Sequence, residues 1–179
     1  MARQVLILGS QGHFGAAAAG AFGAAGWRVL CHARRPNPAL PAGARLIEVP
    51  LADTEALARQ ADGSSVVIHA INVPYPRWAG EALPLARQAA ALAGRLGATL
   101  MLPGNVYNYG LPMPTPLVET APQQAHTRKG AIRVAIEQHL QQRAEAGQRC
   151  IVLRAGDFLV GGGRGWLGQA ITKSIAQGK

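Results

Sequence analysis

The stretch Val5-Leu6-Ile7-Leu8-Gly9-Ser10-Gln11-Gly12-His13-Phe14-Gly15 decides the fold. Its four leading apolar residues are too few for a helix and read as a buried strand, while Phe14–Ala25 reads as a helix. Between them lie three glycines, Gly9, Gly12 and Gly15, each three residues from the next. Glycine lets a backbone turn sharply and approach a pyrophosphate, and a helix that begins there points its first N–H groups and positive dipole end at the phosphates. Gln11, His13 and Phe14 fill the same turn and count with the glycines as candidate dinucleotide contacts. A tight strand-to-helix turn that binds nothing is the plain alternative. The Ala16–Ala19 run then suits a helix lying close on a sheet.

The same alternation continues along the chain. Val29–His32, Leu46–Val49, Val66–Ala70, Thr99–Leu102 and Cys150–Arg154 read as further short strands. Thr54–Gln60, Trp78–Leu96, Lys129–Ala146 and a terminal segment from Trp166 to Gln177 read as helices. Strand and helix in strict alternation require right-handed crossovers, hence an α/β, doubly wound parallel sheet with helices on both faces and the order 3-2-1-4-5-6. Asp53 or Thr54 can cap the second helix, and Gly26, Gly97 and Gly147 stand where a left-handed residue ends one. Pro103–Pro122, rich in glycine and proline, reads as a long loop at a strand's carboxyl end, where ligands bind in this architecture. No linker interrupts the pattern, so residues 1–179 are expected to form a single domain.

Composition narrows the classes. With 49% hydrophobic and 15% charged residues, the chain is too apolar for disorder. No apolar run reaches the roughly 18 residues of a membrane span, and Met1–Gln4 leads into a strand rather than a signal peptide; the expectation is a cytoplasmic protein that does not enter a membrane. Cys31 and Cys150 sit in strand-like runs and read as buried thiols, with no metal-ligand spacing. The formal charge of +9 comes from 15 arginines against three lysines, with no basic run longer than two and nine aromatic residues in all. That pattern argues against nucleic acid and for a small anionic ligand.

The second strand bears on the choice of cofactor. A ribose 2′-hydroxyl is usually held by an Asp or Glu at this strand's end, whereas a 2′-phosphate wants arginine. Here Arg28–His32 runs into Ala33-Arg34-Arg35, with no acid. Arg34 and Arg35 therefore favour NADP over NAD, unless they simply face solvent. His69, inside a strand, reads as a satisfied core histidine rather than a catalyst. His126 and Asp157 receive no role.

Taken together, the glycine turn, Asn72-Val73-Pro74-Tyr75-Pro76-Arg77-Trp78, Leu102-Pro103-Gly104-Asn105-Val106-Tyr107-Asn108-Tyr109-Gly110, Arg128-Lys129-Gly130 with Arg133 and Glu137, and Leu153-Arg154-Ala155-Gly156-Asp157-Phe158 resemble an NAD(P)-dependent epimerase/dehydratase-like protein of the extended or atypical short-chain dehydrogenase/reductases. The resemblance runs from residue 5 to about residue 165. It implies cofactor contacts at Ala70 and Asn72 beside the nicotinamide half, at Leu51 beside adenine in place of the family's Asp, and at Lys129. Such enzymes use a Ser/Thr with Tyr-x-x-x-Lys. Matching Tyr109-Gly110 and Glu137 to the family puts Asn105 at the Ser/Thr position, Lys129 at the tyrosine and Arg133 at the lysine. In a second register Lys129 keeps the lysine position and Ala125 takes the tyrosine.

The departure leaves the proton donor open. Lysine can act as an acid only if something depresses its pKa, which Arg133 one turn away would do by repulsion. Tyr107 and Tyr109 are substitutes from the loop, and a lysine and arginine four apart can also be a solvated helix face. Asn105 can hydrogen-bond a carbonyl or ribose hydroxyl without titrating. The catalytic candidates are thus Asn105, Tyr107, Lys129 and Arg133. Relatives generally continue into a C-terminal substrate domain, which is expected to be absent or truncated here, with apolar surface left bare near Trp166–Ile175 or a pocket completed by a second subunit of a homodimer. Two functions remain open: hydride transfer on a nucleotide-sugar or other small carbonyl or alcohol substrate, and a non-catalytic dinucleotide sensor or scaffold.

Overall fold

The computed structural model describes residues 3–33 and 40–156. The elements are β1 Gln4–Leu8, α1 His13–Ala24, β2 Arg28–His32, β3 Arg45–Ile47, α2 Thr54–Gln60, β4 Val66–His69, α3 Trp78–Arg95, β5 Thr99–Asn105, α4 Arg128–Glu145 and β6 Cys150–Ala155. Short 3-10 turns occupy Tyr75–Arg77 and Tyr107–Tyr109. Every described strand pairing is parallel, and the order is β3-β2-β1-β4-β5-β6, as alternation requires.

β1 is the centre of the sheet because it can be buried on both faces. Val5 and Ile7 pack with Ala19 of α1, while Leu6 and Leu8 pack on the opposite side with Leu57 of α2, Leu92 of α3 and Leu140 of α4. Side chains alternate along a strand, so four consecutive apolar residues serve two layers. The polar residue at the start of β1 is also satisfied: Gln4 Nε2 donates to the Asp62 carbonyl at 2.8 Å and to Ser64 Oγ at 3.0 Å. Each such buried aliphatic side chain contributes about 1.5–3 kcal/mol by leaving water.

Several boundaries move, and each has a local cause. β5 continues through Pro103-Gly104 to Asn105, where a loop was expected, because β6 extends beside it with Pro103 opposite Leu153 and Asn105 opposite Ala155. Beyond Met101 the strand has β6 as its one paired neighbour, a setting that tolerates proline. β3 begins at Arg45 and stops at Ile47 rather than running over Leu46–Val49, because β2, its ladder partner, ends at His32 opposite Ile47. Of the two capping candidates at α2, Asp53 is the cap, accepting from Ala56 N at 3.0 Å. Gly26, Gly97 and Gly147 all take positive φ. Cys31 is buried, whereas Cys150 is only half-buried; both are free thiols. The expected helix from Trp166 to Gln177 and its apolar surface lie outside the described residues. β6 itself carries Ile151 and Leu153, about half exposed, on the face away from Val152.

α1 lies close against β1 because Gly15 has no side chain: a Cβ there would fall on the Gly9 carbonyl oxygen. Gly20 of the same helix has open space around it. Gly15→Ala should therefore lower unfolding stability by at least about 2 kcal/mol through overpacking, whereas Gly20→Ala should raise it by about 0.5–1 kcal/mol through helix propensity. Urea midpoints of the two variants check this, and equal effects would refute the close approach.

Candidate functional site

The carboxyl ends of β1, β4 and β5 meet at one edge of the sheet, beside the start of α4. β1 and β4 are neighbours although α1, β2, β3 and α2 intervene in the chain, so this is where the winding reverses and a crevice opens. The β1–α1 turn forms one wall. Gly9 has φ +81°, and a Cβ on it would lie 2.8–2.9 Å from the backbone of Ala70 and Ile71, so only glycine lets the turn rest on the end of β4. The turn is tied to β2 as well: Gly9 N and Ser10 N donate to the His32 carbonyl at 3.2 and 3.3 Å, and Ser10 Oγ at 3.2 Å. Gly12 is the N-cap of α1 and supplies no side-chain acceptor, which leaves the positive helix end for an external anion. Gln11, Gly12 and His13 are exposed there, and Phe14 is half-buried.

On the opposite flank the sequence candidates separate. Ala33 is buried beside β3, so no carboxylate stands at the end of β2, and Arg34 and Arg35 lie outside the described residues. Leu51 is a core residue packed with Leu57, not a side chain facing the crevice. Ala70 borders Gly9, and Asn72 is exposed just beyond it.

Four aromatic and cationic residues organise the centre. Lys129 and Arg133 are one turn apart on α4; Tyr75 and Trp78 are three apart, in the 3-10 turn and at the start of α3. Lys129 Nζ lies 3.6 Å from the centre of the Tyr75 ring, and the Arg133 guanidinium lies 4.7 Å from the Trp78 ring. The Tyr75 and Trp78 rings touch, 5.1 Å between centres, and Trp78 Nε1 donates to the Val73 carbonyl at 2.9 Å, which fixes the turn. The Tyr75 hydroxyl sits 3.4 Å from that of Tyr107. Asn105 Oδ1 accepts from Tyr107 N at 3.1 Å, so part of its amide is committed to shaping the turn that carries Tyr107. A Cβ on Gly130 would fall on the Tyr107 carbonyl oxygen, which is why that turn can seat on the first turn of α4.

Three of the four catalytic candidates, Tyr107, Lys129 and Arg133, are thus gathered with Tyr75, and Asn105 supports them from β5. Tyr109 is buried under Arg154 and does not reach the crevice. The repulsion by which Arg133 would prepare Lys129 as an acid meets a different arrangement, because each cation takes its own aromatic ring. Tyr75 and Trp78 had no assigned role, although their i, i+3 spacing matches the i, i+4 spacing of the two cations and is the signal that finds them. His126 also acquires a place: its Nδ1 accepts from Leu111 N at 3.3 Å.

Behind the cluster lie buried polar groups. Burial works against the Arg133 charge, and Glu137, Tyr75 and Tyr107 work for it; its Nε has no partner. Glu137 is paired with Arg154 at 2.7 Å and accepts from Gln123 at 2.7 Å. The pair draws the Arg154 pKa upward and joins α4 to β6. His69 was expected to be a satisfied core histidine. It is buried, but its Nδ1 has no hydrogen-bond partner, and the charge of Arg133 acts on it.

Burial, and then the charge of Arg133, hold the His69 pKa down to about 4 against an ordinary 6.5. Between these values the unfolded chain binds a proton that the folded chain does not. The stability this neutral histidine allows is complete above about pH 6.5 and is lost as pH falls toward about 4, by up to about 3 kcal/mol. His32, also lowered by burial, adds a contribution of the same sign. His69→Gln should flatten most of this acid slope in urea unfolding followed across that range; a slope unchanged in the variant would refute the assignment.

No protein-family model matches the chain, and no curated protein matches it. Solved structures do. The Bordetella bronchiseptica enzyme WbmG in complex with NAD superposes with a TM-score of 0.75 at 22% identity, over 100% of this chain and 61% of that one. UDP-glucose 4-epimerase from Brucella ovis, in complex with NAD, gives 0.75 at 18% identity, over 87% of this chain and 52% of that one. TunA, an NAD-dependent NDP-hexosamine 5,6-dehydratase of tunicamycin biosynthesis, gives 0.73 at 20% identity, over 98% and 62%. The chain thus spans about half to three fifths of the length of these proteins. What it shares with them is the fold, a helix-flanked parallel sheet in the order 3-2-1-4-5-6.

Proposed function

We propose that the chain binds a nicotinamide dinucleotide across the carboxyl ends of β1 and β4 and belongs to an oxidoreductase of the epimerase/dehydratase kind, transferring hydride on a nucleotide sugar or another small alcohol or carbonyl. The observation that carries this reading is the seating of the Gly9–Gly15 turn on the end of β4, because it aims the positive end of α1 into the same crevice that the Tyr75, Tyr107, Lys129 and Arg133 cluster borders. The residues suit the cofactor. The glycine turn would take the pyrophosphate, Asn72 offers hydrogen bonds to the nicotinamide ribose, and the bound ring would supply a hydride acceptor or donor. The three proteins named above bind or depend on NAD, and two of them act on nucleotide sugars by their descriptions, which favours that substrate class.

Within this reading we assign the 2′ position to phosphate, hence NADP(H). The support is the missing carboxylate at the end of β2 and the Arg34-Arg35 pair that follows it. A second reading, a dinucleotide sensor without catalysis, is favoured by one observation: α4 offers no tyrosine, and its lysine lies on a ring. Hydride transfer to or from any of a panel of sugar nucleotides, aldehydes or quinones separates the two.

Calorimetric titration of the folded chain with NADPH and NADH tests the binding step, and no binding of either below millimolar concentration refutes it. If Arg34 and Arg35 hold a 2′-phosphate, the double alanine variant loses charge-assisted hydrogen bonds of about 1.5–3 kcal/mol each, so NADPH affinity should fall at least about tenfold while NADH affinity barely changes. An equal loss for both cofactors, or none, would show that these arginines do not discriminate.

A further inference from the structure

We propose that the Tyr75–Tyr107 hydroxyl pair is the proton-transfer group of this site, with Lys129 and Arg133 as the residues that position it. The proposal rests on the dinucleotide reading above and extends it to a residue, Tyr75, outside the helix where a proton donor would be sought. The two phenols come from different loops, one after β4 and one after β5, and their oxygens are 3.4 Å apart at the crevice edge. Both are accessible, Tyr75 at 44% and Tyr107 at 40% exposure, whereas Tyr109 is at 3%. Lys129 lies 3.6 Å from the Tyr75 ring centre, and the half-buried Arg133 interacts electrostatically with both tyrosines. The two hydroxyls are within reach of each other, so a proton can pass between them, and Lys129 stands over the ring of one.

The chemistry balances with an oxidised nicotinamide dinucleotide as co-reactant. The C–H bond of a substrate alcohol breaks and its electron pair leaves as hydride for the nicotinamide ring. The O–H proton goes to the phenolate oxygen of the pair, leaving a carbonyl product, a reduced dinucleotide and two neutral phenols. In the reverse direction a phenol returns the proton to the carbonyl oxygen. Lys129 and Arg133 give up no proton in either direction. Lys129 holds the Tyr75 ring by cation–π contact, and Arg133 holds the Trp78 ring that Tyr75 touches.

The chain has only three tyrosines, so nitration by tetranitromethane, mapped by peptide mass spectrometry, reads each one separately. Tyr75 and Tyr107 should react and Tyr109 should not. Tyr107→Phe should slow nitration of Tyr75, Tyr75→Phe should slow that of Tyr107, and bound NADPH should protect both. Lys129→Met should slow Tyr75, and Lys129→Arg should restore it, a response that a purely structural lysine would not give. Independent reactivity of the two tyrosines, or no protection when calorimetry shows NADPH bound, overturns the proposal. Failure of NADPH to bind overturns the dinucleotide reading first. With UDP-glucose or UDP-N-acetylglucosamine and NADP as probes, each Phe variant should lose about 100-fold in turnover with NADPH affinity unchanged, and full turnover in either variant refutes the pair. If the unaltered chain turns over neither sugar nucleotide, the substrate class fails, and NADPH protection decides the pair.

Discussion

Everything at the crevice depends on the absence of two side chains. Gly9 and Gly15 are so close to neighbouring backbone that a methyl group on either would meet a main-chain atom, which cannot rotate aside as a side chain can. This contact sets the angle at which α1 leaves β1, and through Ser10 and the His32 carbonyl it ties the turn to β2. It also brings the turn against Ala70 at the end of β4. Three strands that are distant in sequence thereby share one rigid corner.

A second constraint works on the other side of the crevice, and its nature is electrostatic. The 3-10 turn and the start of α3 carry two rings, and α4 carries two cations, at nearly matching spacing, so each cation finds one ring. Such contacts are individually worth about 0.5–2 kcal/mol, with the larger value where more water is excluded, as at the half-buried Arg133 on the buried Trp78 rather than the exposed Lys129–Tyr75 contact. Their greater consequence is geometric. They hold the loop after β4 against the helix after β5, and the two tyrosine hydroxyls come together as a result.

Two of the buried polar groups beneath this cluster show how burial is tolerated, by a partner or by neutrality. Glu137 and Arg154 relieve each other as an ion pair that also receives Gln123. Gly104 makes room for that pair, since a side chain there would press on Val152, Arg154 and Glu137. His69 is relieved by staying neutral, a state that Arg133 reinforces. Nδ1 of His69 and Nε of Arg133 are both buried without a hydrogen-bond partner.

The doubly wound sheet and its strand order were legible in the chain because burial on both faces leaves a local mark: Val5–Leu8 must be wholly apolar, and its glycine turn must follow immediately. The caps at Asp53, Gly26, Gly97 and Gly147 were legible for the same reason, each depending on a few adjacent residues. Tertiary structure alone decided that β5 runs through Pro103 and Gly104, because the extension exists only where β6 lies beside it. It likewise moved Leu51 from the crevice into the core, left Nδ1 of His69 without a partner and placed Lys129 on Tyr75. Residues 75 and 129 are separated by a helix, a strand and a long loop, and no spacing rule reaches that far. Local chemistry set the elements, whereas the contacts between their ends arise only when the sheet brings those ends to a common edge.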